Sequence, residues 1–260
     1  MSSEPAENSP ETPSESTPEA GRWKMGMAVG MLFAVLGGVA SWAAVQASYP
    51  VFQPPPDQID PMAGVPEAIQ KKLDRNNAIV ILAVVAGLIA AALAAGEAAL
   101  RRSWALIVVA LVVSGLVAAA LGSWAGWAGH ALFEYLRPRR ELSELARTAM
   151  VQTLMLGLLG CSVGVGVAAV VGRRVRGRLS CFIAGLLGGV LAGMLYPVAA
   201  SVVGLITPVI TDTLIPARAG ERLLWIGLTA LILGLLLPAV CGQGACCRCR
   251  TPAETRPQED

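Results

Sequence analysis

The chain has 260 residues, 55% of them hydrophobic and only 15% charged, with a net charge of +2. Soluble domains carry about 25% charged residues, and here the charges crowd into short segments between long uncharged stretches. That pattern argues against a water-soluble globular domain. The scattered basic residues form no patch for nucleic acid.

The first segment, residues 1–22, is a tail of Ser, Pro and Thr with five glutamates (Glu4, Glu7, Glu11, Glu15 and Glu19). It holds too little apolar area to offset ordering entropy and reads as disordered. Its acidity sets it apart from a signal peptide, which begins with basic residues.

Six apolar runs follow, at 25–48, 78–95, 104–127, 149–172, 179–206 and 223–240. A hydrocarbon core takes roughly 20 helical residues to cross. Lipid offers no hydrogen-bond partner, so each crossing must be helical. None of the runs shows the alternation of a membrane β-barrel strand. The expected fold is an all-α integral membrane protein, a polytopic bundle over residues 23–242. It has six transmembrane helices arranged as three hairpins, and a polar Cys/Arg tail follows at 243–260. The implied partners are the lipid bilayer and either other membrane proteins or a second copy of the chain.

The connections set an orientation. Arg101 and Arg102 join spans two and three, and Arg173, Arg174, Arg176 and Arg178 join spans four and five, with no acid in either loop. Short, purely basic loops stay in the cytoplasm. Both termini are therefore expected in the cytoplasm, with the spans in a plasma or inner membrane. The other three connections mix both signs. Within them Tyr49–Pro56 is expected to be extended, and Pro66–Arg75 to form a short amphipathic helix with Ile69 and Leu73 on one side. Pro138 suits a helical first turn, from which Arg139–Thr148 runs into span four. Thr207–Pro216 caps span five or dips back.

Small residues recur every fourth position. Span one has Gly26, Gly30, Ala34 and Gly38; span two has Ala83, Gly87, Ala91 and Ala95; span three has Ala118, Gly122 and Gly126. Span four has Gly160, Gly164, Ala168 and Gly172, and span five has Gly185, Gly189 and Gly193. Residues four apart share a helix face, and a face without side chains lets two helices approach closely, which supplies attraction in lipid. An alanine- and glycine-rich composition produces the same spacing without that purpose. Span six lacks the pattern and is expected at the periphery. Leu-Gly-Gly-Val occurs at both 36–39 and 187–190, a weak sign of repeated hairpins.

Chemistry is sparse. Gly160-Cys161-Ser162-Val163-Gly164 spells a nucleophile-elbow pattern, but that motif works on a strand-to-helix turn and this one lies inside a span. The only histidine, His130, is expected to stay far from Ser162, wetted within an interfacial aromatic belt of Trp124, Trp127, Phe133 and Tyr135. Glu97 precedes Arg101 by four residues, the favourable order for a helical ion pair. Cys161 and Cys181 read as packing residues. Cys241, Cys246, Cys247 and Cys249 cluster after span six, where inert thiols, S-acylation and a metal or redox site all fit. A cytoplasmic position disfavours structural disulfides there.

No catalytic or cofactor-binding residue is assigned and no cofactor is implied. The functional expectation is a non-enzymatic scaffold or accessory membrane subunit. The alternative is a passive channel or small-solute carrier built from repeated hairpins, with a membrane-embedded enzyme third.

Overall fold

A computed structural model describes residues 18–56, 59, 65–100, 104–139, 141, 143–171, 175–204 and 214–246. Side chains are described within 24–170, 177–203 and 214–240. These residues form six long helices and no strand: α1 Pro18–Ser48, α2 Glu67–Leu100, α3 Trp104–Leu136, α4 Glu144–Val171, α5 Val175–Gly204 and α6 Ala219–Cys246. All six are long and apolar enough to cross a membrane.

The helices outrun the apolar runs that announce them, because polar residues continue the backbone ladder past the last apolar one. Proline opens α1 at Pro18, inside the tail read as disordered, where its fixed φ suits the first helical position. Residues Glu67–Arg75 are no separate amphipathic helix but the first turns of the 34-residue α2. Pro138 sits in a turn that ends α3, with the Arg139 amide donating to the Leu136 carbonyl at 3.0 Å. The helix expected from Arg139 starts instead at Glu144, where the Ser143 hydroxyl accepts from the Ala146 amide at 3.2 Å as an N-cap. Within α3, Ala110–Ser114 forms a π-helical turn, from which the Ser114 hydroxyl donates to the Ala90 carbonyl of α2 at 3.1 Å.

Each helix packs on its neighbours in chain order, and α6 returns to α1, closing a ring in which α2 and α4 also meet. The closest-packed pairs are α2–α3, α4–α5 and α3–α4. Of the three chain-order hairpins expected from sequence, only α3–α4 is among them; α1–α2 and α5–α6 are looser than the α1–α6 closure. Apolar side chains fill the middle of the ring: Ile81, Leu82, Val85 and Ile89 of α2, Met155, Leu156 and Leu159 of α4, and Trp225, Ile226 and Leu233 of α6 are fully buried. This corrects the placement of the sixth helix at the periphery; α3 is the least enclosed. Leucines of α6 find room because the facing helices are small there. A Cβ on Gly188 would meet the Leu233 side chain at 2.9 Å, and one on Gly38 would meet Ala230 at 2.9 Å.

Outward faces are apolar too. Leu32, Val35, Leu36 and Val39 on α1, Val108, Val112 and Leu116 on α3, and Leu187, Met194 and Val198 on α5 are all exposed.

Candidate functional site

The exposed tryptophans of α3 mark its levels. Trp104 is 83% exposed and Trp124 is 68% exposed. Twenty residues separate them, about 30 Å of helix rise, which is the thickness of a bilayer core. Trp127 stacks edge-on against Trp124 with ring centres 5.9 Å apart. Past this pair α3 continues to Leu136 and runs beside the first turns of α2, so the two helices share a polar tip.

Ion pairs hold that tip. Lys71 Nζ lies 3.1 Å from Glu67 on its own helix and 3.0 Å from Glu134 on α3. Arg137 Nη1 lies 3.5 Å from Glu134 and 3.6 Å from Glu67. Each helix supplies one acid and one base at a spacing that puts them on one face. The four charges neutralise one another and match the two helices in register. Pairs facing solvent in this way contribute little to stability.

Beside this quartet opens a cleft of about 630 Å³. Lys71, Asp74 and Asn77 line it from α2, His130, Phe133 and Glu134 from α3, and Glu144, Arg147 and Val151 from α4. Tyr49 lines it from the segment after α1, and Leu214 and Ile215 from the segment before α6. Leu214 and Ile215 are buried.

Three polar contacts fix the walls. Asn77 is buried, and its side-chain amide accepts from the Phe52 amide at 2.8 Å and donates to the Phe52 carbonyl at 3.2 Å. The chain leaving α1 is thereby pinned to α2; expected to be extended, it bends at residues 50–52. Gln152 of α4 donates to the Leu214 carbonyl at 3.1 Å and accepts from the Trp225 indole at 2.9 Å. It joins α4, α6 and the connection before α6. Behind Tyr49, the Arg222 guanidinium stacks on the phenol ring at 4.2 Å and donates to Gln46 Oε1 at 2.9 Å. Burial raises the Tyr49 phenol above its usual range, with the Arg222 charge opposing. Among the described residues, Arg222 Nε and Nη1 are buried without a hydrogen-bond partner, as is Glu221 Oε1, which lies 3.9 Å from Arg218 Nε.

Three charged side chains in the cleft stand outside the quartet: Asp74, Glu144 and Arg147. Asp74 accepts from Gln70 at 2.8 Å and pairs with no cation among the described residues. Arg147 donates to the Arg137 carbonyl at 3.3 Å and pairs with no carboxylate among them. His130, expected to be wetted, is 8% exposed and lies within electrostatic reach of Glu134, Asp74 and Arg75. Among the described residues no three His, Cys, Asp or Glu side chains gather closely enough to hold a metal ion.

The residues singled out in the sequence lie mostly elsewhere. Gly160, Gly164, Gly185, Gly189 and Gly193 all sit where α4 crosses α5. A Cβ on Gly160 would lie 2.9 Å from the Gly189 Cα, one on Gly185 3.0 Å from the Gly164 Cα, and one on Gly193 2.5 Å from the Thr153 Cα. Gly164 faces Cys181, and Gly30 faces Pro238 of α6. Gly87 faces the Gly115 carbonyl of α3 at 3.1 Å, whereas Gly26 meets nothing within 4 Å. Ser162 is buried, with its hydroxyl on the Leu158 carbonyl at 2.8 Å; neither it nor Cys161 lines the cleft that holds His130.

Cys161 is free, but Cys181, read as a packing thiol, is disulfide-bonded. Glu97 is partly buried at the end of α2 beside Gly30, Gly96 and Pro238. Its expected partner Arg101 lies outside the described residues, as do Gly172, Cys247, Cys249 and the side chains of Cys241 and Cys246.

Sequence reasoning missed the cleft because Asp74, His130 and Arg147 come from three helices. The available signal was that two of the three mixed-sign connections, before span two and after span three, share one end of the bundle. No protein-family model matches the chain, and no curated protein or solved structure resembles it significantly.

Proposed function

We propose that this chain is a multi-pass membrane protein with a non-enzymatic role, a scaffold or accessory subunit that holds a charged tip outside the bilayer. One observation carries the reading: apolar side chains cover the outward faces of the ring and also fill its centre. Outward apolar faces suit contact with hydrocarbon. A filled centre supports a packing role over a passive channel or carrier, because a water path needs polar or open space between helices. The glycine faces fit this role, since close backbone approach supplies attraction where apolar burial cannot. The basic residues Arg101, Arg102, Arg173, Arg174, Arg176 and Arg178 favour both termini in the cytoplasm, with the cleft on the opposite side of a plasma or inner membrane.

Extraction and labelling test the reading. The expressed chain should stay with membranes after alkaline carbonate treatment. In a cysteine-free background, Glu67→Cys should react with an impermeant maleimide added outside, while Ile81→Cys and Ile89→Cys react from neither side. Release into the aqueous fraction would remove the membrane assignment. Labelling of both interior positions would replace the scaffold with a pore.

A further inference from the structure

We propose that the cleft at the α2–α3 tip binds a small amphoteric ligand of short-peptide size, with a free amine held at Asp74 and a free carboxylate at Arg147. The quartet of Glu67, Lys71, Glu134 and Arg137 is internally neutral, so it supplies the rim and no net attraction for either sign. Asp74 on α2 and Glu144 and Arg147 on α4 are left, lining the same space.

Asp74 receives only a neutral amide donor, from Gln70. Its carboxylate therefore keeps acceptor positions for an ammonium group. Arg147 has one Nη on a backbone carbonyl, which leaves other donors of its planar fork for a carboxylate. Thr148 stands next to it in the lining. Charge-assisted hydrogen bonds of this kind are the stronger class. Glu144, at the exposed rim on the Arg147 wall, has no ion-pair partner among the described residues. The surplus of acid makes the amine the main anchor. Tyr49, Phe133 and Val151 supply apolar surface for the body of the ligand. A volume of about 630 Å³ suits a molecule of several residues, since ligand clefts run from about 300 to 1,000 Å³. The walls are held by Asn77 and Gln152, so the site exists before the ligand arrives. The inference is independent of whether the bundle acts as scaffold or pore.

Calorimetric titration of the full chain in lipid nanodiscs tests it. The probes are the tripeptide Ala-Leu-Ala with free ends, its N-acetyl form and its C-terminal amide. The free tripeptide should bind saturably. Acetylation should weaken binding about tenfold in the unaltered protein and have little further effect on Asp74→Asn, because each variant removes one charge-assisted contact. Amidation should behave in the same way toward Arg147→Gln. Absence of saturable binding by the free tripeptide would overturn the proposal. So would equal affinity for the free, acetylated and amidated forms, a comparison that needs no variant to fold.

Discussion

Asn77 grips Phe52 through both atoms of its side-chain amide, taking the Phe52 N–H at 2.8 Å and giving its own N–H to the Phe52 carbonyl at 3.2 Å. Phe52 lies in the connection between α1 and α2 and Asn77 within α2, and the grip holds the segment that carries Tyr49 against the wall of the cleft. Asn77→Ala removes both bonds and leaves a peptide group without partners. A loss of about 1–3 kcal/mol is expected for a group left unsatisfied in this way. Limited proteolysis should then cut between residues 50 and 60 much faster than in the unaltered chain. An unchanged cutting rate would show that the segment is held by other contacts.

Gln152 and Trp225 form the second clamp, at 2.9 Å in the buried interior. Gln152→Leu should lower thermal stability in detergent by about 1–3 kcal/mol, because the indole N–H and the Leu214 carbonyl both lose their partner. Trp225→Phe in the Gln152→Leu background should cost less than Trp225→Phe alone, as expected for residues in direct contact. Strict additivity of the two changes would deny the coupling.

Glycines at helix crossings should differ sharply from glycines in open space. A Cβ on Gly189 would lie 3.0 Å from the Gly157 Cα and closer still to the Leu156 carbonyl, while Gly26 has nothing within 4 Å. Gly189→Val should destabilise the bundle by about 1–3 kcal/mol through overpacking, and Gly26→Val should leave its melting point unchanged. Equal tolerance of both would mean that α4 and α5 are not in close backbone contact.

The levels of Trp104 and Trp124 can be read by fluorescence. In single-tryptophan variants reconstituted into vesicles, lipids brominated near the headgroup should quench either residue more than lipids brominated at the chain end. Aromatic side chains at interfaces lie at that depth. Stronger quenching of Trp124 by chain-end bromine would sink the tip into the bilayer and close the cleft to water.

The helical architecture was legible because hydropathy and backbone hydrogen bonding are properties of contiguous residues. An uncharged run needs no knowledge of its neighbours to be read as a helix. Boundaries were less legible: Glu67–Arg75 is polar, yet it continues α2, since a helix already nucleated extends at little cost. The sixth helix was misplaced because its burial depends on the small faces of other helices, such as Gly38 opposite Ala230.

The sequence by itself determined that six long apolar segments exist and that basic residues gather in two short connections. Only the tertiary structure decided that α6 closes on α1, that Arg222 stacks on Tyr49, and that Asp74 and Arg147 face one cleft. The physical reason is range: hydropathy acts within a turn or two of helix, whereas the contacts building the cleft join residues as far apart as Gln46 and Arg222, 176 positions along the chain.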